Sequence, residues 1–461
     1  MRRAGALLLV VACGTGTASA PVNDNTGREP KNRLRAKVWS VDGVELFRWF
    51  RDAERKEDCY FVQGDDTHVG PGPTHWCLPI DSVRHDATGS LAIYSDAGCT
   101  VPLALAPLAG GAASYVVTRG ASSCAEQPRI YRALPPATGR PYFFDGTRCV
   151  RASTSVAVQG LAEEVPLASF VSGVETVSAL GGPISKLEIV ASDGSRQTIG
   201  GFDEARKLAV ETGDPGGAGD RRWFPARLAF EQGTVQLYGD AACEAAVPAK
   251  VARDAVCPLQ ASFVFEGICG RGEFHALGAP LETSTLFEKS PLGRCVPSDE
   301  KGVLAYARGA AIARTDFTPA FPTDAGTGRV RLRGYTDGRT PVMWTDLFDS
   351  VTGELCTPDT AKDGQIRCLP SMSVSVALFS DPGCTSLAFE ELLGDATCAT
   401  PPAPKWVRSA GRAFRVTGTA NQVFELGPEG CAVHASPEGS RRFALEEADV
   451  APFSIVAEVT R

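Results

Sequence analysis

The sequence predicts an all-β fold, and three observations predict it. Apolar residues alternate with polar ones in short runs, as in Val330-Arg331-Leu332-Arg333 and Ala413-Phe414-Arg415-Val416. Gly, Pro or Asp breaks these runs about every eight to twelve residues, and no stretch keeps a 3.6-residue period long enough for a major helix. Only a short helical piece over Asp203–Ala209 is expected. Finally, the stretch SLAIYSDAGCTVPL at 90–103 returns as TVQLYGDAACEAAV at 234–247 and as SVALFSDPGCTSLA at 375–388. In each, a strand runs into an Asp turn and emerges at a Cys, which is the pattern of two short antiparallel strands joined by a tight turn.

Other markers set the register of a larger unit. Asp-Gly turns follow a strand at Asp42-Gly43, Asp193-Gly194 and Asp337-Gly338, and the hairpin cysteines are Cys99, Cys243 and Cys384. A closing strand carries Cys149, Cys295 or Cys431, and an apolar segment then ends on Phe170, Phe317 or Phe453, at intervals of 21, 22 and 22 residues. The expected architecture is three tandem repeats of an antiparallel unit of about 145 residues, spanning 33–176, 177–321 and 326–461. Each unit would be a sandwich-like or barrel-like domain; the alternative is a single propeller-like ring, whose nine blades would exceed the usual number. The turn chemistry has a mechanism. In Asp381-Pro382-Gly383 an Asp bonds its own backbone, a Pro presets φ and a Gly accepts positive φ.

Cysteine usage points to export. Apart from Cys13 there are fourteen cysteines, with no CxxC pair and no Cys/His spacing suited to zinc, so disulfides in an oxidising compartment are expected. Cys59 and Cys77 match Cys356 and Cys368, and the second unit lacks both, with Trp223-Phe224-Pro225 where the others have Cys-Leu-Pro. Joint absence predicts the bonds Cys59–Cys77 and Cys356–Cys368. The expected partners in the hairpins are Cys99 with Cys124, Cys243 with Cys257 and Cys384 with Cys398, while Cys269 meets Cys295. Cys149 and Cys431 would bond each other or stay free.

The first residues read as a targeting segment. Arg2 and Arg3 precede the apolar run Ala4–Ala12, which is too short to span a bilayer. Val10-Val11-Ala12-Cys13 has the form of a bacterial lipobox, with Cys13 the lipidated first residue of the mature chain. The alternative is secretion after Ala18-Ser19-Ala20, which Pro21 disfavours. Gly14 in place of an Asp after the Cys favours the outer membrane, at its periplasmic or cell-surface face. Residues 14–32 are expected to form a flexible tether. The formal charge is -8, and without Arg2 and Arg3 there are 44 basic residues against 54 acidic ones, which argues against nucleic acid as a partner.

The succession Asp-Gly, Cys, Cys-Leu-Pro and Tyr-Ser-Asp-Ala-Gly-Cys-Thr behind a lipobox resembles the Cys-rich repeat lipoproteins abundant in myxobacterial genomes, a family with no assigned activity. The resemblance covers nearly all of the mature chain; the second unit departs from it by lacking the Cys-Leu-Pro cysteine. It implies a location and a fold type, and no catalytic residue.

Chemistry has few candidates. Between Asp65 and Asp86 lie His68, His75 and His85 with four carboxylates, residue types that ligate divalent cations, yet their spacing matches no ligand motif. A polar loop around Gly70-Pro71-Gly72-Pro73 accounts for them more simply, so no cofactor is expected. There is no Gly-x-Ser-x-Gly or His-Glu-x-x-His motif, and His275 and His434 read as surface or satisfied core residues. The pairs Glu163-Glu164, Glu390-Glu391 and Glu446-Glu447 are adjacent on strands, so their side chains point to opposite faces. Trp39, Trp49, Trp76, Trp344 and Trp406 are expected in packing rather than as sugar platforms, and Trp223 fills core volume where its counterparts hold a disulfide. A binding face would use the loops that differ most, residues 65–86 and Thr212–Asp220. The expected role is a non-enzymatic binding or structural envelope lipoprotein with a protein or polysaccharide ligand. The alternative is an exported hydrolase or lyase acting on polysaccharide between repeats.

Overall fold

The computed structural model describes residues 32–461 apart from 63–74, 86–91, 108–111, 119–127, 145–147, 214–219, 227, 231–236, 245–248, 252–262, 267–272, 281–285, 290–293, 298–303, 340, 393–402 and 437–438. The fold is all-β. The described residues contain no α-helix, only the single 3₁₀ turns Leu167–Ser169 and Arg314–Asp316. The helical piece expected over Asp203–Ala209 is instead a tight hairpin turn. The buried carboxylate of Asp203 accepts the amides of Ala205 and Arg206 there, so the chain reverses after four residues.

A central set of fifteen strands carries the fold. In chain order they are β1 (Leu34–Val41), β2 (Val44–Asp52), β3 (Glu57–Val62), β4 (His75–Pro79), β5 (Ser172–Ser178), β6 (Ile184–Ala191), β7 (Arg196–Asp203), β8 (Leu208–Gly213) and β9 (Arg222–Pro225). They continue with β10 (Phe321–Ala325), β11 (Val330–Thr336), β12 (Pro341–Asp349), β13 (Glu354–Thr360), β14 (Ile366–Pro370) and β15 (Ala457–Thr460). A ten-stranded sheet runs β9-β8-β7-β6-β5-β4-β3-β2-β1-β15, and a five-stranded sheet runs β10 to β14. Sheet formation therefore crosses the unit boundary expected at 176/177, because β5 pairs with both β4 and β6. The C-terminal β15 pairs with β1 at the other end of the chain.

The two sheets are also joined at both ends. Trp223 donates its amide to Thr318 and Ala320 to Arg221; Cys368 donates to Ser454 and Val456 to Ile366. Cys77 makes the same bond to Val171. Backbone hydrogen bonding thus passes round the strands and returns to β1, which leaves little open edge to template other chains.

Side chains of the Asp-Gly turns tie the stretches together in a cycle. The Asp193 carboxylate accepts the Leu34 amide at 2.7 Å, Asp42 accepts that of Val330 at 2.8 Å, and Asp337 that of Ile184 at 3.4 Å. Leu34, Ile184 and Val330 each open a strand and are fully buried. Gly43, Gly194 and Gly338 sit at φ of 82°, 90° and 94°, the left-handed region where glycine carries no Cβ penalty. The core follows the same plan. One cluster joins the first and second stretches through Leu34, Phe50, Phe61 and Ile189; one joins the first and third through Val44, Val330 and Leu347; one joins the second and third through Ile184, Trp223 and Tyr335.

A buried Asp closes each β-hairpin that follows. Asp52, Asp203 and Asp349 are all but inaccessible, and each accepts two turn amides and an arginine, from Arg33, Arg206 and Arg329 respectively. Those arginines also bond the carbonyls of Ser169, Asp316 and Pro452, just before the buried Phe170, Phe317 and Phe453. These donors offset the cost of taking each carboxylate out of water.

Outer sheets flank this ring. The hairpin Ile93–Tyr94 with Pro102–Leu105 forms as the sequence predicts, and so does Leu378–Phe379 with Leu387–Leu392. Five disulfides lie among the described residues, consistent with an oxidising, extracytoplasmic environment. Cys59–Cys77 and Cys356–Cys368 are present as expected. The hairpin cysteines are a correction: Cys99 bonds Cys149, Cys243 bonds Cys295 and Cys384 bonds Cys431, rather than Cys124, Cys257 and Cys398. Accordingly Cys295 does not meet Cys269, and Cys149 and Cys431 neither bond each other nor stay free. The physical reason is strand order. The strand Tyr142–Phe144 pairs on one side with Ile93–Tyr94 and on the other with Cys149–Arg151, which carries Cys149 back to the hairpin turn. Cys124, Cys257, Cys269 and Cys398 lie outside the described residues, as do Cys13 and the whole of 1–31.

Candidate functional site

The Asp of each repeated hairpin turn is occupied by its own loop. Asp96 accepts the amides of Gly98, Thr100 and Val101, and Asp381 those of Gly383, Thr385 and Ser386. These bonds, led by the ones from Val101 and Ser386, hold both carboxyls below their ordinary range. The next residue but two, Cys99, Cys243 or Cys384, takes φ near 50° and bonds back to the Asp carbonyl. The motif is a structural turn that aims a cysteine at its partner strand.

The candidate metal ligands do not converge among the described residues. His75 opens β4, where its buried ring meets Glu175 of β5 at 3.0 Å. The backbone of His85 lies in the strand Ser82–His85, while His68 lies outside the described residues. His434 sits between Glu425 at 3.1 Å and Glu390 at 3.4 Å, and Glu390 also accepts Ser440. His275 is buried in the strand Glu273–Pro280. The adjacent carboxylates diverge as the strand period requires: Glu390 faces Ser440 while Glu391 pairs with Arg441, and Glu446 pairs with Arg415 while Glu447 pairs with Arg412 and Lys362. Glu163 and Glu164 are both exposed on the strand Val156–Val165.

The tryptophans pack, with one cationic arrangement at the surface. Trp223 is fully buried, Trp76 nearly so, and Trp344 and Trp406 lie against the core. The Arg48 guanidinium lies 3.4 Å from the ring centre of Trp49 and 4.0 Å from that of Trp39, and it pairs with Glu458 of β15. Burial lowers the Arg48 pKa from its ordinary value.

Two open clefts lie where the stretches meet. The first, of about 450 Å³, is lined by Arg33, Trp76, Phe170, Val171, Ser192 and Asp193. Its charges are spent within the fold, Arg33 on Asp52 and Asp193 on the Leu34 amide. The second, of about 420 Å³, opens where the pairing of β9 with the chain entering β10 stops at Arg221 and Ala320. Its wall contains Pro319, Phe321, Pro322, Tyr335, Arg221 and Arg333. Phe321 is half exposed, at 50%. Asp220 at its rim pairs with Arg222 and Arg314, and Arg333 is held by Asp324 through two bonds of 2.7 and 2.8 Å. Arg221 differs: its guanidinium stands 4.7 Å over the Tyr335 ring, and among the described residues no carboxylate pairs with it.

The sequence pointed to the loop Thr212–Asp220 as a binding face. Its last residue lines this cleft, while 214–219 lie outside the described residues. Arg221, Phe321 and Tyr335 were not singled out in the sequence. The available signal was the run Asp220-Arg221-Arg222, which offers one acid to two bases. No family model, curated protein or solved structure matches this chain.

Proposed function

We propose that the chain is an envelope protein, anchored through lipidated Cys13, that works by binding rather than by catalysis. The second cleft carries this reading: it combines an open apolar wall with a guanidinium that has no acid of its own among the described residues. Such a site offers affinity and orientation, and among the described residues its one carboxylate, Asp220, is tied to Arg222 and Arg314. The five disulfides support the extracytoplasmic address, and the resemblance to Cys-rich repeat lipoproteins fits the anchor.

Two measurements test the proposal. Intact mass spectrometry of the protein from its native membrane, without reduction, is expected to show acyl mass on Cys13. A soluble protein beginning near Pro21 would remove the anchor. Co-sedimentation of the oxidised chain with purified envelope polysaccharide is expected to show retention with no new reducing ends. Release of reducing ends would replace binding with cleavage, by a hydrolase or a lyase.

A further inference from the structure

We propose that the cleft between β9 and β10 binds a carboxylate-bearing sugar, with Arg221 holding the carboxylate and Phe321 presenting its ring to the sugar face; this rests on the binding role proposed above. The charge balance identifies the ligand's sign. In a chain of net charge -8, the cleft holds one guanidinium, Arg221, with no acid partner among the described residues, because Asp220 is neutralised by Arg222 and Arg314, and Arg333 by Asp324. A guanidinium placed over an aromatic ring spends no N–H on an acid and so keeps its fork free for two parallel bonds to a carboxylate. Tyr335 holds Arg221 in that posture.

The wall favours a sugar over an extended peptide. A peptide adding to the β10 edge needs a row of main-chain donors, yet Pro322, next to Phe321, has no N–H to give, and Pro319 is already bridged to Arg222. What the wall offers instead is apolar surface, from the half-exposed Phe321 and the two prolines. The cleft volume of about 420 Å³ suits a ligand of one or two sugar rings.

The test is calorimetric titration of the full oxidised chain with an oligouronate, with a neutral oligosaccharide of equal length, and with a short peptide bearing a free C-terminal carboxylate. The oligouronate is expected to bind, and the neutral sugar at least about tenfold more weakly, the loss of one charge-assisted bidentate contact. Arg221→Ala is expected to abolish that preference, Arg221→Lys to keep part of it, and Phe321→Ala to weaken both sugars alike. Non-reducing mass analysis and thermal melts of each variant establish that the fold is retained. Unchanged oligouronate affinity in Arg221→Ala, or binding of the peptide in place of the sugar, overturns the proposal. If the oligouronate fails while the chain still sediments with envelope polysaccharide, this ligand assignment falls and the binding role stands. If neither binds, both fall.

Discussion

The corner between β2, β3 and β4 and the corner between β7, β8 and β9 solve one packing problem in two ways. In the first, Phe50 pairs across the sheet with Cys59, Cys59 with Pro79, and Cys59 is bonded to Cys77. In the second, Gly201 stands opposite Val210, Val210 opposite Pro225, and Trp223 takes the place of Cys77. A large aromatic has moved from one strand to another, and a glycine receives it. A Cβ on Gly201 would come within 2.9 Å of Trp223 and of Ile184, and within 3.0 Å of Val210. The corner of β12, β13 and β14 keeps the covalent version, with Leu347 opposite Cys356 and a Cys356–Cys368 bond. One corner relies on packing alone and two add a cross-link.

The comparison breaks most severely at Trp223. Trp223→Ala empties a fully buried site, and chemical denaturation is expected to show a loss of about 3–5 kcal/mol that is the same with and without reductant. Removing the opposite solution, as Cys59→Ala with Cys77→Ala, is expected to cost about 3 kcal/mol for a loop of this length. Reductant, which opens the other described disulfides as well, should lower the unfolding midpoint of the parent at least as far as this double variant does, and should leave the local protection of β7 to β9 unchanged in hydrogen exchange.

Gly201→Ala sharpens the comparison, because the glycine matters only while the indole is there. Its expected cost is about 1–3 kcal/mol from overpacking. In a Trp223→Ala background that cost should shrink, a coupling that a double-mutant cycle reads directly. An additive result would mean that Gly201 serves the backbone rather than the indole.

The smallest effect belongs to an ion pair that ties the third corner to its outer sheet. Glu447, hydrogen-bonded first to Arg412 and then to Lys362, has its pKa lowered to about 2. A depressed carboxylate stabilises the fold above its unfolded pKa, and that contribution is lost as pH falls through the folded value. Stability should therefore drop as pH goes from about 4.5 to about 2, and Glu447→Gln should flatten this part of the profile by well under 1 kcal/mol, since the pair is largely solvated. An unchanged profile in the variant would assign the acid sensitivity to other carboxylates.

How far the sequence could be read depended on the range of each interaction. The hairpins at 93–105 and 378–392, the Asp-Gly turns and the bonds Cys59–Cys77 and Cys356–Cys368 were legible. Each is decided within about twenty residues, or by two cysteines vanishing together. The pairing of Cys99 with Cys149 was not, because choosing the nearest cysteine ignores the strand that brings Cys149 back across 50 residues. The signal existed: separations of 50, 52 and 47 recur for the three bonds. For the candidate cleft, only the rim residue Asp220 lay in a stretch that sequence reasoning marked.

By itself the sequence determined an all-β chain with punctual turns, since a two-residue period and residues that accept positive φ or bond their own backbone act locally. Tertiary structure alone decided that β15 returns to β1, that Asp193, Asp42 and Asp337 clasp strands of other stretches, and that Arg221 faces a cleft without an acid partner among the described residues. Those outcomes join residues more than a hundred positions apart, so they depend on which buried surfaces fit together and on no pattern carried by either segment alone.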